Sequence, residues 1–520
     1  MAIISKAIPT LLRGVSQSAD SIKQSDHADI QENANSSPVQ GLTKRSGTQF
    51  LASLSTSELT NVHVHTINRD TDERYQLILG DESISVYGLD GTAYTTANSK
   101  ITTPDGVSYL DSSNPRSDFK TVTIADYTFI VNTSKTVEMN TAVSTGTDTW
   151  AIVFFNQVTA STNYEVFVDS ATSIYNSGTT NLSTDTIAID IKNDLDAALT
   201  GFTIVRNGPV LWLRKSDGSD FSITAQDSQG DTQITVVKNS VQTFSDLPRI
   251  SPNNFVVEVK GDDTTNFDNY YVKFVTSNGE TFGEGQWEET LKAGITYKID
   301  EATMPHVLIR KADGNFIFAK ADGGSYTANS TTYYLPTWKD RTVGDLDTAP
   351  SPSFIGTTIN NVIFFRNRLG FLADDNIILS RVSEFFNFFP ETVTTVVDSD
   401  PIDAAASNTK VSILKHAVTM GEQLILFSDQ TQFVLSSSSD ALTPKTANVV
   451  VATEFESSTA ASPVGSGRSI YYLTKKGSFA GVREYITQED VAIKDAADIT
   501  IHIPKYIPSN IFKLAVSTSE

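Results

Sequence analysis

NVIFFRNRLGFLADDNIILSR (Asn361–Arg381), QLILFSDQTQFVLSSS (Gln423–Ser438) and SIYYLTKKGSFAGVREY (Ser469–Tyr485) share one grammar: an apolar strand, a polar turn, then a second strand. Runs of Val, Ile, Leu, Phe and Tyr broken by Asp, Asn, Gly and Lys predict β-hairpins. The three stretches start at positions 361, 423 and 469. A spacing of roughly 46 to 62 residues is that of a four-stranded propeller blade, although the repeat is irregular. RYQLILG (74–80) and SISVYGLDG (83–91) repeat the grammar around Asp81-Glu82 and end in an Asp90-Gly91 turn. The early strands therefore supply another blade or close the ring. The expected fold is mainly β.

Outward from these hairpins, the chain divides by composition. Residues 1–49 read as an N-terminal arm, punctuated by Pro9, Gly14, Pro38 and Gly41. One short helix is expected in it between Asp26 and Asn33, with Asp26 as cap and Asp29 in the first turn. Residues 50–140 carry the first propeller strands, including VTIADYTFIVN (122–132). Residues 141–250 read as an inserted α+β domain of platform type. In it Ile187, Ile191, Leu195 and Leu199 recur every four residues, the period of an amphipathic helix, and Gly201 stops it. Residues 251–338 read as an inserted β domain. The stretch 339–353, KDRTVGDLDTAPSPS with its Pro350, Pro352 and Gly344, reads as a linker. Residues 354–520 hold the remaining blades.

Composition bounds the function. The 520 residues exceed what one core usually serves, so about three domains are expected. Lys and Arg number 39 against 61 Asp and Glu, a net charge of −22. Tight nucleic-acid binding needs clustered cations to displace counterions, and this balance argues against it. It does not argue against a surface that DNA slides past. With no cysteine, disulfides, thiolate metal sites and Cys nucleophiles are excluded. No apolar h-region opens the chain, because Lys6, Pro9 and Arg13 interrupt it, and no run of about 18 apolar residues predicts a membrane span. The sequons at Asn132, Asn181 and Asn329 are then chance matches in a Ser/Thr-rich chain.

Candidate sites are few. His63 and His65, two apart, share one face of a strand as metal ligands can, or form its polar face. Asp398, Asp400 and Asp403 of DSDPID suit a calcium loop or a solvated turn; the central Gly and terminal Glu of an EF-hand are missing. GSGRS (465–469) lacks a phosphate loop's third Gly and its Lys-Ser/Thr ending, and reads as a turn between blades. There is no GxSxG, no HExxH and no recognisable company for the six His. A paired-carboxylate glycosidase has no local signature and stays at background level. No catalytic residue, metal ligand or cofactor site is assigned, and none is required. SEFFNFFPE (383–391) brings Phe385, Phe386, Phe388 and Phe389 together. Adjacent Phe pairs cannot all face one side of a strand, so part of the cluster meets another element or another subunit. These four, with Arg13, Lys44 and Arg45 of the arm, are the candidate assembly-interface residues.

The opening IPTLLRGVSQSADSIKQSDHADIQENANSSPVQGLTKRSGTQF (8–50) resembles the start of the tail tubular B, or nozzle, family of short-tailed bacteriophages of the Autographiviridae type. HTINRDTDERY (65–75), ADYTFIVN (125–132), TMPHVLIRKADGNF (303–316), FFRNRLGFLADDNIILSRVSEFFNFF (364–389), DSDPID and DITIHIPKY (498–506) continue the resemblance in collinear order. It is weakest over 141–250. It implies a structural virion protein, made in the host cytoplasm: a homo-hexameric tube joined to a ring of adaptor proteins and to tail fibres. Genomic DNA would pass through without specific binding, and no stable membrane insertion is implied. It implies a β-propeller with inserted platform-type domains, and it offers no catalytic residue to transfer. Family members continue past the IHIPKY region, so the last propeller strands and a channel-closing tip are expected beyond Glu520. An acidic lumen would repel DNA phosphates in transit. The rival from another class is a tail-associated glycan-binding or cell-wall-degrading enzyme using Asp398, Asp400 and Asp403; a receptor-binding tip is a third.

Overall fold

The computed structural model describes residues 10–37, 39–180, 182–261, 269–328, 331–438, 441–488 and 493–517. The sequons at Asn181 and Asn329 lie outside the described residues.

The chain is mainly β, organised as many small sheets. Among the described residues, four of these are four-stranded antiparallel meanders in which sequential strands pair. Sheet A holds His63–Asn68, Arg74–Gly80, Ser83–Gly88 and Ala93–Thr95. Sheet C holds Ile359–Phe365, Arg368–Ala373, Asn376–Leu379 and Ile402–Ala405. Sheet D holds His416–Met420, Gln423–Phe427, Gln432–Ser437 and Ala447–Thr453. Sheet E holds Val464–Ser466, Ser469–Lys476, Phe479–Gln488 and Ile493–Asp498. The hairpin grammar is thus realised three times after residue 354 and once before residue 100. Asp81-Glu82 makes the expected turn in sheet A, with Glu82 at φ 43°.

Sheet B is assembled from distant parts of the chain. Phe119–Ile124 and Tyr127–Asn132 form a hairpin, and the next partner of the latter is His306–Arg310, with Ile130 opposite His306. Phe316–Ala319 and, in parallel, Ile101–Thr102 complete it. The span 251–338, expected as one inserted β domain, is therefore divided. Its earlier strands belong to the inserted body, and 306–319 returns to the sheet the chain left at Asn132.

The five sheets pack face to face in series. Alternation along each strand sends neighbouring residues to opposite faces. Ile130, Leu308, Phe316 and Phe318 of sheet B pack on Leu77, Leu79, Ile84 and Val86 of sheet A. Phe129, Val131 and Val307 of the same sheet pack on Val362, Leu369 and Phe371 of sheet C. Ile363, Leu372 and Leu379 then meet Leu424, Leu426 and Phe433 of sheet D. Ile425, Phe427 and Val434 meet Ile470, Tyr472 and Tyr485 of sheet E. Phe119–Ile124, an edge strand of sheet B, neighbours the first strands of sheets A and C, and the first strands of sheets C, D and E neighbour one another in turn.

The inserted body has its own layers. Trp150–Phe155 lies between Val210–Lys215 and Ile234–Val237, with Phe202–Asn207 at the edge. Ala151, Val153 and Phe155 face the helix Thr184–Ala198 and the sheet of Asn163–Val168, through Ile187, Ile191, Leu195 and Val166. Ile152, Val210 and Trp212 face Phe255, Val257 and Phe274 of a second sheet. Burial on both faces explains why AIVFF and VLWL are continuous apolar runs. The helix carries its apolar residues at the expected four-residue period. Residues 141–250 thus form their core with Val256–Thr290 strands and not alone.

Three further expectations are corrected. No helix forms between Asp26 and Asn33: the backbone there makes a bridge, Ala28 N–H to the Gly14 carbonyl at 2.8 Å and Ser16 N–H to the Ala28 carbonyl at 3.1 Å. Asp26 spends its carboxylate on Arg13 at 2.9 Å instead of capping. The stretch 339–353 has no strand, but it is packed and not a solvated linker; Arg341 within it is 1% exposed. GSGRS is a tight turn inside sheet E, Ser466 opposite Ser469 with Gly467 at φ 59°, and not a joint between repeats.

Candidate assembly site

The segment after sheet C's third strand turns sharply at Ser383, whose φ is 63°, and Arg381 bridges Glu384. No strand forms there, so the four phenylalanines radiate. Phe388 and Phe389 are 4% and 1% exposed, while Phe385 and Phe386 are half-buried. Phe388 stacks on Phe371 at 5.2 Å and meets Phe354 edge-on at 5.3 Å. Phe386 contacts Trp338 at 4.9 Å and Phe129 at 5.3 Å, and Phe385 meets Phe364 at 5.5 Å. Phe388 and Phe389 meet other elements of the same chain, between sheets C and B, and offer no surface to a partner; Phe385 and Phe386 keep part of their surface exposed.

Three arginines surround this joint. The Arg341 guanidinium lies over the Phe389 ring, 5.1 Å from its centroid, and donates to the Thr296 carbonyl at 2.6 Å and the Ser351 hydroxyl at 2.8 Å. Burial lowers its pKa. Arg381 donates to Glu384 at 2.9 Å and Glu391 at 2.5 Å. Arg368, 1% exposed, donates to the carbonyls of Ser380 (2.7 Å), Ser399 (3.3 Å), Asp398 (3.0 Å) and Asp400 (2.6 Å). Burial pulls its pKa down to about 10, against the attraction of Asp400.

Arg368 also answers the question posed by DSDPID. The oxygen-rich turn does wrap a cation, but the cation is a guanidinium of the same chain and the ligands are carbonyls. Asp400 is 4% exposed; its Oδ2 accepts the Val397 N–H at 2.8 Å and its Oδ1 lies 3.8 Å from Arg381 Nε. Asp403 accepts the Ser353 N–H at 2.8 Å. The glycosidase alternative needs a carboxylate pair facing an open groove, and a buried Asp400 does not supply its half.

His63 and His65 share one face of their strand, as expected, and that face covers sheet B: their Nε2 atoms hydrogen-bond the hydroxyls of Thr121 at 2.9 Å and Thr123 at 2.8 Å. Burial lowers both pKa values, to about 3 and about 4. Asn132 is 1% exposed and donates to the carbonyls of Tyr109 and Asp111, so its sequon is closed to modification.

The arm presents the outward surface. Arg13, Lys44 and Arg45 are exposed. In the same segment Ile22 and Ile30 are 74% and 69% exposed, and Phe50 and Leu51, which follow it directly, 79% and 67%. The arm is pinned to residues 502–506: Gln17 N–H donates to the His502 carbonyl at 2.9 Å, Lys505 N–H to Gln17 Oε1 at 2.7 Å, and Tyr506 Oη to the Gln31 carbonyl at 3.1 Å. The exposed apolar set was missed in the sequence reading. Its only signal is apolar residues in a segment without periodicity, which no core can absorb. Exposed apolar side chains in a segment that also carries exposed cations are what an assembling partner covers. Among the described residues no helix is long and apolar enough to cross a membrane.

Comparison with known proteins gives two findings. A family model described as "Bacteriophage nozzle protein" matches residues 1–520. "Tail tubular protein gp12" of Escherichia phage T7 is 33% identical over 540 residues, covering 100% of this chain and 64% of that protein. The chain thus spans 64% of the length of the curated relative it matches.

Proposed function

The chain belongs to the bacteriophage nozzle protein family, whose members are structural tail components and not enzymes, and we propose that it is the nozzle of a short phage tail. Its place is the virion. Six copies close into a tube that attaches to an adaptor ring and tail fibres and conducts DNA during ejection. The observation that carries this reading is the family match along the whole chain.

Sheets A to E are the blades of a β-propeller in this reading, and residues 150–290 are the inserted platform-type domain. Support comes from the serial face-to-face packing of the sheets and from the neighbouring first strands, which would surround the propeller axis. In a closed ring each subunit uses two different surfaces, so the interfaces are heterologous. The arm, with Arg13, Lys44, Arg45 and its exposed apolar side chains, is one of them. A net charge of −22 suits a conduit that must not hold DNA phosphates.

Electron microscopy of the purified protein mixed with its adaptor ring tests the proposal. Six-fold rings with a central channel are expected. A stable monomer that never joins the adaptor overturns it.

A further inference from the structure

A cavity of about 600 Å³ opens where the first strands of sheets A, C, D and E converge with Phe119–Ile124 of sheet B. Its walls carry His63, Arg116, Lys120, Lys415, His416 and Lys513, and among the described residues its lining contains no Asp or Glu. This is the reverse of the chain's overall balance of −22. The cations come from four separate places: the short helix Pro115–Asp118, sheet B, the approach to sheet D and the segment after sheet E. Only the fold brings them together.

We propose that this cavity binds a compact phosphate-type oxyanion carrying two or more negative charges. Lys415 is held at the wall by its Nζ donating to Asn360 Oδ1 at 2.8 Å. The Arg116 guanidinium sits over the Phe512 ring at 4.3 Å and its Nη2 donates to the Thr60 carbonyl, which leaves the remaining N–H donors of the fork for a ligand. None of Lys120, Lys415 and Lys513 has a carboxylate within ion-pair distance among the described residues.

Like charges converging beside buried surface are costly unless an anion joins them. The pKa directions agree with this. Burial lowers the pKa of Lys120, the Asp118 carboxylate partly opposes that, and the charge of Lys415 lowers it further. His416 is lowered to about 4, by burial first and then by Lys120 and Lys415. The histidines are therefore neutral at pH 7, leaving lysine and arginine as the charged groups. Ammonium and guanidinium donors around a small chamber are the usual chemistry of phosphate recognition. The volume falls within the range of small-molecule sites.

Isothermal titration calorimetry of the 520-residue protein with inorganic pyrophosphate, at ionic strength held constant with NaCl, tests this. Saturable binding with one pyrophosphate per chain is expected. Lys120→Ala, Lys415→Ala and Lys513→Ala should each weaken it about tenfold or more, while Lys192→Ala on the distant helix should leave it unchanged. Lys513 is exposed, so its variant folds even where the other two do not. Pyrophosphate should also raise Tm above the matched NaCl control. Absence of saturable binding overturns the proposal, as does equal affinity in Lys513→Ala. Binding of a short single-stranded oligodeoxynucleotide without pyrophosphate binding overturns it too, and assigns the cations to nucleic acid instead.

Discussion

Arg368 donates Nη1 to the carbonyl oxygen of Asp400 at 2.6 Å, and not to that residue's carboxylate, which is turned toward Val397 and Arg381. A guanidinium chelated by backbone holds the 398–403 turn against sheet C. Removing it would strand four carbonyl oxygens in a dry site.

Arg368→Ala is accordingly expected to destabilise the protein by on the order of 3–5 kcal/mol. Arg368→Lys should recover less than half of that, because one ammonium cannot reproduce the planar fork. Urea unfolding curves of the two variants against the parent check it. Equal stability of parent and alanine variant would show that the cage contributes nothing.

Phe388→Ala, emptying a site between Phe371 and Phe354, should cost about 3–5 kcal/mol. Phe385→Ala, which is half-buried against Phe364, should cost about 1 kcal/mol. The same unfolding measurement distinguishes them. The opposite order would mean that the cluster faces outward after all.

Lys44→Glu combined with Arg45→Glu should leave monomer stability within about 0.5 kcal/mol, since both side chains are exposed. Ring formation with the adaptor should nevertheless be lost or sharply reduced. Size-exclusion chromatography and electron microscopy read this directly; unimpaired rings would remove the arm from the interface.

His306 and His416 make the fold acid-sensitive. Both are buried, and burial lowers each pKa from the ordinary 6.5 to about 4. His306 donates Nδ1–H to the Met304 carbonyl and stacks on Tyr109 at 3.9 Å. Because the folded value lies below the unfolded one, the unfolded chain takes up the proton first. Stability is complete above pH 6.5 and declines as pH falls toward 4. At pH 5 each histidine should contribute a loss of about 2 kcal/mol relative to pH 7.5. His416→Gln should flatten the decline between those two pH values; an unchanged slope would exclude His416 as a source.

Much of the local structure was legible. Hairpins at 74–88, 119–132, 359–379, 423–437 and 469–488 follow from apolar runs broken by turn residues, and the helix Thr184–Ala198 from its four-residue period. The pairing of Tyr127–Asn132 with His306–Arg310 was not, because strand periodicity carries no address for a partner some 170 residues away. The expected helix after Asp26 failed for a related reason: its cap was claimed by Arg13, and its backbone by Gly14 and Ser16. For the candidate site, the Phe cluster was visible as composition, yet its direction was not.

By itself, the sequence determined strand-rich local structure, the absence of thiol chemistry and an acidic overall charge, because these depend on residue type and near-neighbour spacing. Tertiary structure alone decided three things. It turned Phe388 and Phe389 inward, since burial depends on which sheets converge. It filled the DSDPID turn with Arg368, since a cation and its carbonyl ligands are about 30 residues apart. It also gathered Arg116, Lys120, Lys415 and Lys513 around one cavity inside a chain of net charge −22, because electrostatic environment is set by distance in space and not along the chain.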